Sequence, residues 1–304
     1  MLRPAIPSSA PALPAVLELL KPITWFPPMW AFGCGVASAG GLHVSHPGLL
    51  VTGIVLTGPL VCATSQAVND WYDRHVDAIN EPGRPIPSGR IPGNWGFYIA
   101  LCWTALSLAV ATRLGRWGFY ASCVGLVLAW LYSAPPVRLK QNGWWGNSAV
   151  GLCYEGLPWI TGAALTATSS TPDLRSVALA LLYSFGAHGI MTLNDFKSIE
   201  GDRQMGVRSL PVQLGVRGAG LCACAVMTAP QVVVVALLAS WACPWQAAGI
   251  ATVLAIQLLL MRRWLKRPRE LAPWYQGTGV TLYVLGMLLA ASALPGLAPS
   301  QWGN

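Results

Sequence analysis

Long apolar stretches alternate with short polar ones along the whole chain. They fall at about 22–41, 48–69, 95–112, 117–134, 146–167, 175–193, 217–239, 243–261 and 276–294. Each approaches the ~20 residues that an α-helix needs to cross the hydrocarbon core. Pro27, Pro28, Pro59, Pro158 and Pro230 lie inside these stretches. Membrane helices tolerate such prolines because neighbouring groups satisfy the freed carbonyls. The pattern predicts an all-α integral membrane protein with nine transmembrane helices, read as one domain over 1–304.

Composition supports lipid as the main solvent. The chain is 54% hydrophobic and 10% charged, whereas soluble domains carry about 25% charged residues. The net charge of +8 would suggest nucleic acid in a soluble protein. Here it fits membrane topology, so membrane lipid is the expected partner and nucleic acid is not. Of the 19 Lys and Arg, all but Arg113, Arg116 and Arg175 fall on one side of the nine-stretch arrangement. Cytoplasmic loops carry such an excess. The N-terminus and the loops following the second, fourth, sixth and eighth stretches are therefore expected in the cytoplasm. The eight cysteines form no CxxC pair and read as small apolar fillers. Met1 to Leu17 holds a single basic residue, Arg3, and no leader peptide is expected.

More than half of the 11 acidic residues crowd into two short windows. The first is Asn69-Asp70-Trp71-Tyr72-Asp73-Arg74-His75-Val76-Asp77. Asn69, Asp73 and Asp77 are spaced four apart, which places them on one helix face, with Asp70 at its edge. Like charges at that spacing repel, so a cation is expected to compensate. Carboxylate and amide oxygens suit Mg²⁺, which binds through one or two carboxylates together with substrate phosphates. The second window is Asn194-Asp195-Phe196-Lys197-Ser198-Ile199-Glu200-Gly201-Asp202-Arg203. An even number of crossings separates the windows, so both face the cytoplasm and can share one mouth. That arrangement fits metal ions bridging a diphosphate.

Basic residues accompany both windows. Arg84, Arg90, Lys140, Lys197, Arg203 and Arg208 are candidate diphosphate contacts, since arginine pairs with phosphate oxygens in a bidentate fashion. Glu155 and His188 lie within apolar stretches, where an ionisable group is a functional candidate. A hydrogen bond between helices accounts for them equally well. A cation-coupled transporter is the reading from another class. Transporters, however, place their sites near the bilayer midplane in broken helices, whereas these carboxylates sit at helix ends beside arginines.

The motif NDxxDxxxD at 69–77 and the second acidic run at 194–202 resemble the UbiA superfamily of intramembrane prenyltransferases. The resemblance spans essentially the whole chain. Three runs are similar to the chlorophyll and bacteriochlorophyll synthases within it: NDWYDRHVDAINEPGRPIPSGR at 69–90, YSAPPVRLKQNGWWGN at 132–147 and NDFKSIEGDRQMGVRSLPVQLG at 194–215. The resemblance implies a nine-helix bundle around a central cavity, with two Mg²⁺ ions at its cytoplasmic mouth. Asn69, Asp73 and Asp77 would serve one metal–diphosphate contact, with Asp70 a neighbour. Asp195 and Asp202 would serve the second, with Glu200 close by. Many superfamily members carry Asp where this chain has Ser198, which loosens that second ligand set. The implied reaction is esterification of the propionate of (bacterio)chlorophyllide a by geranylgeranyl or phytyl diphosphate. The implied location is a bacterial inner or intracytoplasmic photosynthetic membrane, in reach of pigment-biosynthesis or pigment–protein assembly partners. Glu155 and His188 would then be candidate tetrapyrrole contacts, with His188 near the central magnesium. A transferase for a quinone precursor or haem is the alternative within the family.

Overall fold

The structure is a computed structural model describing residues 10–41, 47–166 and 171–297. Arg3 and most of the stretch expected to lack a leader lie outside the described residues. A short amphipathic helix, α1 (Leu13–Leu20), buries Ala15, Leu19 and Leu20. Helix α2 (Phe26–Ser38) follows a 3₁₀ turn, Pro22–Thr24. The apolar stretch expected at 22–41 is thus shortened at both ends, at the start by this proline-containing turn. Helices α3 (Pro47–Val55) and α4 (Ala63–Asn80) are joined without a break by a π-helical turn, Leu56–Cys62. Pro59 sits inside that turn. It has no N–H to donate, and the local widening absorbs the missing bond. The helix runs on to Asn80, well past the expected apolar end near 69, so the whole first acidic window is helical.

Helices α5 (Trp95–Ala111) and α6 (Gly115–Ser133) are parted by Gly115, whose φ of 72° suits glycine. Helices α7 (Gly143–Gly151) and α8 (Leu157–Thr166) are joined by a second π-helical turn, Leu152–Gly156. Pro158 follows this turn, and its ring disfavours a regular bond to the carbonyl four residues back. Helix α9 (Leu174–Asp195) leads into α10 (Ile199–Gln204), and α11 (Leu210–Ser240) carries a sharp break at Gly215. The chain closes with α12 (Pro244–Trp264), α13 (Pro268–Tyr275) and α14 (Thr281–Ala291).

No strand occurs among the described residues apart from one isolated bridge between Asn142 and Arg208. Six helical runs among them are long and apolar enough to cross a membrane, which makes this an integral membrane protein. These runs are Pro47–Asn80, Trp95–Ser133, Leu174–Asp195, Leu210–Ser240, Pro244–Trp264 and Pro268–Gly296.

Helices in lipid associate through close packing and internal hydrogen bonds, because burial from water contributes little there. Both devices are present. A Cβ added at Gly35 would lie 2.0 Å from the Trp159 carbonyl oxygen, and one at Gly162 would lie 2.2 Å from that of Phe32. The α2–α8 crossing therefore needs glycine on both sides. Gln231 of α11 and Gln257 of α12 exchange amide hydrogen bonds at 3.2 and 3.0 Å, fully buried. The largest apolar core draws on α2, α8, α9, α11, α12 and α14. Two smaller cores pack α1 with α4 and α5, and the first π-turn with the α5–α6 corner.

Candidate active site

A cavity of about 240 Å³ is enclosed by the first π-turn, α4, α6, α7, the second π-turn, α8 and α9. Its far end is formed by Leu56, Ala121, Leu157 and Thr161, and its near end by Gln66, Asn69, Tyr132 and Met191. Asn69 and Leu56 lie more than three helical turns apart, so the cavity is roughly 20 Å deep along α4 at 1.5 Å per residue. Polar groups gather at the near end. Both acidic windows meet there, because the segment 138–147 touches Asp73 through Arg138 and Lys140 and Asp195 through Asn147.

The loops that follow α6 and α10 are tied by backbone pairing. Arg208 N–H donates to the Gln141 carbonyl and Gly143 N–H donates to that of Arg208, each at 2.8 Å. This pairing sets α7 and the 138–142 loop against the second window. Asn147 Nδ2 then donates to Asp195 at 3.1 Å and to Thr192 at 3.3 Å.

In the first window, every carboxylate already holds a cation. Asp70, 1% exposed, accepts from Lys21 Nζ at 2.6 Å and from Arg84 at 3.4 Å. Asp73 accepts from Lys140 Nζ through both oxygens at 2.5 Å and from Arg138 at 3.2 Å. Asp77 accepts from Arg84 at 2.8 Å. Asn69 donates its amide to Asp73 at 3.2 Å and to Ser133 at 3.1 Å. Burial pulls the Lys140 ammonium below the usual lysine range, while Asp73 pulls it the other way. Arg84 also grips Glu81 and holds that carboxyl below the usual range.

Two of these cations were not among the candidates drawn from the sequence. Lys21 and Arg138 both adopt a left-handed backbone, with φ of 46°. That conformation is uncommon for residues other than glycine and concentrates at functional sites. Arg138 lies within the run at 132–147, two residues before Lys140, yet no spacing there singles it out, and Lys21 meets Asp70 only through the fold.

The second window is arranged differently. Asp202 accepts from Ser198 Oγ at 3.1 Å and Asp195 from Asn147 and the Leu210 backbone N–H, with no ion pair on either among the described residues. Glu200 points outward, 62% exposed, against Arg203 at 3.4 Å and Arg269 at 3.7 Å. This departs from its expected place beside the second metal, because Glu200 and Asp202 are two apart on a helix and face different ways. Asn194 turns away as well, accepting from Gln276 at 2.6 Å. Among the described residues, no three His, Cys, Asp or Glu side chains converge as a ready metal cluster.

The remaining candidates divide. Lys197 and Arg208 are exposed, and Lys197 is close enough to act on Glu81 across the mouth. Arg203 is spent on Glu200. Arg90 lies away from the carboxylate row, where it holds Glu18 of α1 at 2.5 and 2.8 Å and the Gly83 carbonyl at 2.6 Å. Its role there is to fasten α1 to the loop after α4. Glu155 and His188 are 5% and 4% exposed, and neither lines the cavity.

A profile of the UbiA prenyltransferase family matches residues 25–285. The bacteriochlorophyll synthase 33 kDa chain of Cereibacter sphaeroides is 58% identical over 291 residues, 96% of each chain. The chloroplastic chlorophyll synthase of Oryza sativa subsp. japonica is 40% identical over 289 residues, covering 91% of this chain and 76% of its own. A solved UbiA homologue from Archaeoglobus fulgidus, bound to GPP and Mg²⁺, shares the fold with a TM-score of 0.68. That match covers 92% of this chain and 99% of the other at 19% identity.

Proposed function

The chain belongs to the UbiA prenyltransferase family, and from that premise we propose that it carries out the bacteriochlorophyll synthase reaction. A geranylgeranyl or phytyl group passes from its diphosphate to the propionate of (bacterio)chlorophyllide a, and diphosphate is released. The observation that carries this reading is the ring of charged side chains over the mouth of a deep apolar cavity. The full-length similarity to the Cereibacter sphaeroides bacteriochlorophyll synthase chain supports this choice of acceptor.

The donor set at the mouth fits Mg²⁺. All the donors are hard oxygens, and this ion needs only one or two carboxylates when substrate phosphates complete its shell. Asn69 spends its amide nitrogen on Asp73 and Ser133, which leaves its oxygen without a partner among the described residues. Asp202 likewise keeps one oxygen unpartnered among them. Asn69, Asp73 and Asp77 would hold one ion, and Asp195 and Asp202 a second. Bound there, the ions neutralise charge that builds on the leaving diphosphate.

The chain's own residues do the rest. Lys140, Arg138 and Arg84 stand beside the carboxylates and can turn to the diphosphate oxygens, with Lys197 and Arg208 at the rim. The apolar cavity holds the prenyl tail and keeps water from its allylic carbon. The acceptor is a carboxylate at neutral pH and needs no general base. Its oxygen forms the new bond to carbon, the carbon–diphosphate bond breaks, and the electron pair leaves on the diphosphate oxygen. Electrostatic groups aimed at developing charge supply most of such a rate enhancement.

On this reading the whole chain is one domain with nine spans and a cytoplasmic N-terminus. The break at Gly115 supports two spans within Trp95–Ser133, and α2 and the α7–α8 pair add the remaining two. The mouth opens to the cytoplasmic side.

The test uses membranes containing the full chain, supplied with chlorophyllide a or bacteriochlorophyllide a, geranylgeranyl or phytyl diphosphate, and Mg²⁺. Chromatography is expected to show the ester, and a chelator is expected to abolish it. Absence of ester with both rings would sink the reading.

A further inference from the structure

The acceptor's own site is not explained by the mouth, and two buried ionisable groups bear on it. The structure separates them. Glu155 lies in the second π-turn on the side facing Cys34 and Tyr283, inside the packed half of the bundle. His188 lies at the seam between α7 and α9. Three residues further along α9, Met191 lines the cavity; three residues earlier, Phe185 is 60% exposed on the membrane-facing surface. Residues three apart are neighbours on a helix face, so His188 stands between cavity and lipid.

Its surroundings are those of a held ligand atom. The ring is 4% exposed, and Nδ1 lies 3.1 Å from Ser148 Oγ. With the Nδ1 proton donated to Ser148, the lone pair is on Nε2, the tautomer that metal-ligating imidazoles adopt. Nε2 is buried and has no hydrogen-bond partner among the described residues. A buried polar atom without a partner is costly and calls for a reason. One face of the ring is covered by Trp144, with centroids 5.5 Å apart and planes at 28°. Trp144 is itself 41% exposed and its neighbour Trp145 68%, so the covering layer is thin and aromatic.

We propose that His188 Nε2 is the axial ligand to the central magnesium of the incoming tetrapyrrole, and that Trp144 is the side chain that shifts to admit the ring. The inference rests on the acceptor reading above. A flat apolar macrocycle with one open metal position matches an unpartnered imidazole nitrogen beside exposed aromatics. Reach supports it too. His188 is two helical turns from Asp195, about 10 Å along α9. Asn147, next to Ser148, is hydrogen-bonded to Asp195. A ring centred at His188 extends its propionate arm along this seam towards the mouth, where the prenyl carbon is presented.

Full-length protein in detergent micelles is titrated with bacteriochlorophyllide a and, separately, with the same ring lacking its metal. The wild type is expected to favour the magnesium ring by about tenfold or more, with the absorption and resonance Raman signature of five-coordinate, nitrogen-ligated magnesium. His188→Phe should lose that signature and bind both rings with the weaker affinity. His188→Gly should regain the signature when imidazole is added. Binding of geranylgeranyl diphosphate reports that each variant is folded. Equal affinity of the wild type for both rings overturns the proposal without any variant. So does an unchanged signature in His188→Phe. Ester formation by the wild type is measured in parallel. Ester without axial ligation removes only this inference, whereas no ester with either pigment removes the acceptor reading as well.

Discussion

The two acidic windows look alike as strings of residues and differ as chemistry. The first lies on one unbroken helix, and its three aspartates are held by Lys21, Arg84, Arg138 and Lys140. The second is broken between the end of α9 and the short α10, and among the described residues its two inward aspartates are held by neutral groups, the Asn147 amide and the Leu210 backbone N–H on Asp195 and the Ser198 hydroxyl on Asp202. Repulsion within the first window is therefore already relieved by protein cations, while the aspartates of the second have no protein cation against them among the described residues. On the reading proposed above, the difference gives the two windows different emphases within one metal–diphosphate site. The first window brings positive groups to the mouth along with its carboxylates, which suits receiving a diphosphate. The second offers negative oxygen without competing cations, which suits a divalent ion.

The most severe way to break this comparison is at Asp73. It touches Lys140, Arg138 and Asn69 together. Asp73→Ala should lower the rate of ester formation by about a hundredfold or more, the scale set by losing one preorganised electrostatic group. Lys140→Ala should act differently and raise KM for the prenyl diphosphate, since it removes a cation and frees Asp73. If both variants changed kcat alone and by the same factor, the division between receiving diphosphate and holding metal would fail.

Next in size is the Lys21–Asp70 pair, which tests whether the first window is also structural. Asp70 is almost wholly enclosed, and Lys21 joins it from the end of α1. Removing one partner of a buried ion pair costs about 3 kcal/mol, because the other charge is left without compensation. Asp70→Asn should lower the thermal midpoint of the detergent-solubilised protein while leaving the Mg²⁺ requirement unchanged. A shifted Mg²⁺ requirement with an unchanged midpoint would make Asp70 a metal ligand and not a strut.

Much of this arrangement was legible in the chain. The apolar stretches gave the helices, and the four-residue spacing of Asn69, Asp73 and Asp77 gave a single helical face. Counting crossings predicts the windows on one side, and in the structure the segment 138–147 touches both. What stayed hidden depends on contacts between residues far apart in sequence. Lys21 meets Asp70 only because α1 folds back over α4. Arg90 pairs with Glu18 for the same reason. Spacing also misleads on a short helix such as α10, where Glu200 falls on the outer face. The π-turns at Leu56–Cys62 and Leu152–Gly156 follow from proline chemistry, yet no residue pattern tells a π-turn from a kink.

A subtler change sharpens the second window. Ser198 donates to Asp202 at 3.1 Å, one helical turn away. Ser198→Asp would place two carboxylates at that spacing. Without metal they repel, at a cost of about 0.2–0.5 kcal/mol for an exposed helical pair. With Mg²⁺ they become two ligands in place of one. The variant should therefore reach half-maximal activity at several-fold lower Mg²⁺, with its thermal midpoint slightly reduced in chelator and restored by the ion. Unchanged Mg²⁺ dependence would mean that no ion binds at Asp202.

The smallest effect belongs to Glu200, and it is diagnostic because it is small. Its carboxylate is 62% exposed and paired with Arg203, itself 63% exposed. Exposed pairs of this kind contribute about 0–1 kcal/mol. The sequence alone sets Glu200 and Asp202 side by side as acidic neighbours, whereas the fold points one outward and the other to the mouth. Glu200→Gln should change the rate and the Mg²⁺ requirement by less than about twofold, consistent with a solvent-screened pair. Asp202→Asn should raise the Mg²⁺ requirement by about tenfold, as loss of a metal-site carboxylate does. Both variants remove one negative charge from the same short helix. An equal shift in both would show that only net charge near the mouth matters, and the contrast between the two windows would reduce to a difference in charge count.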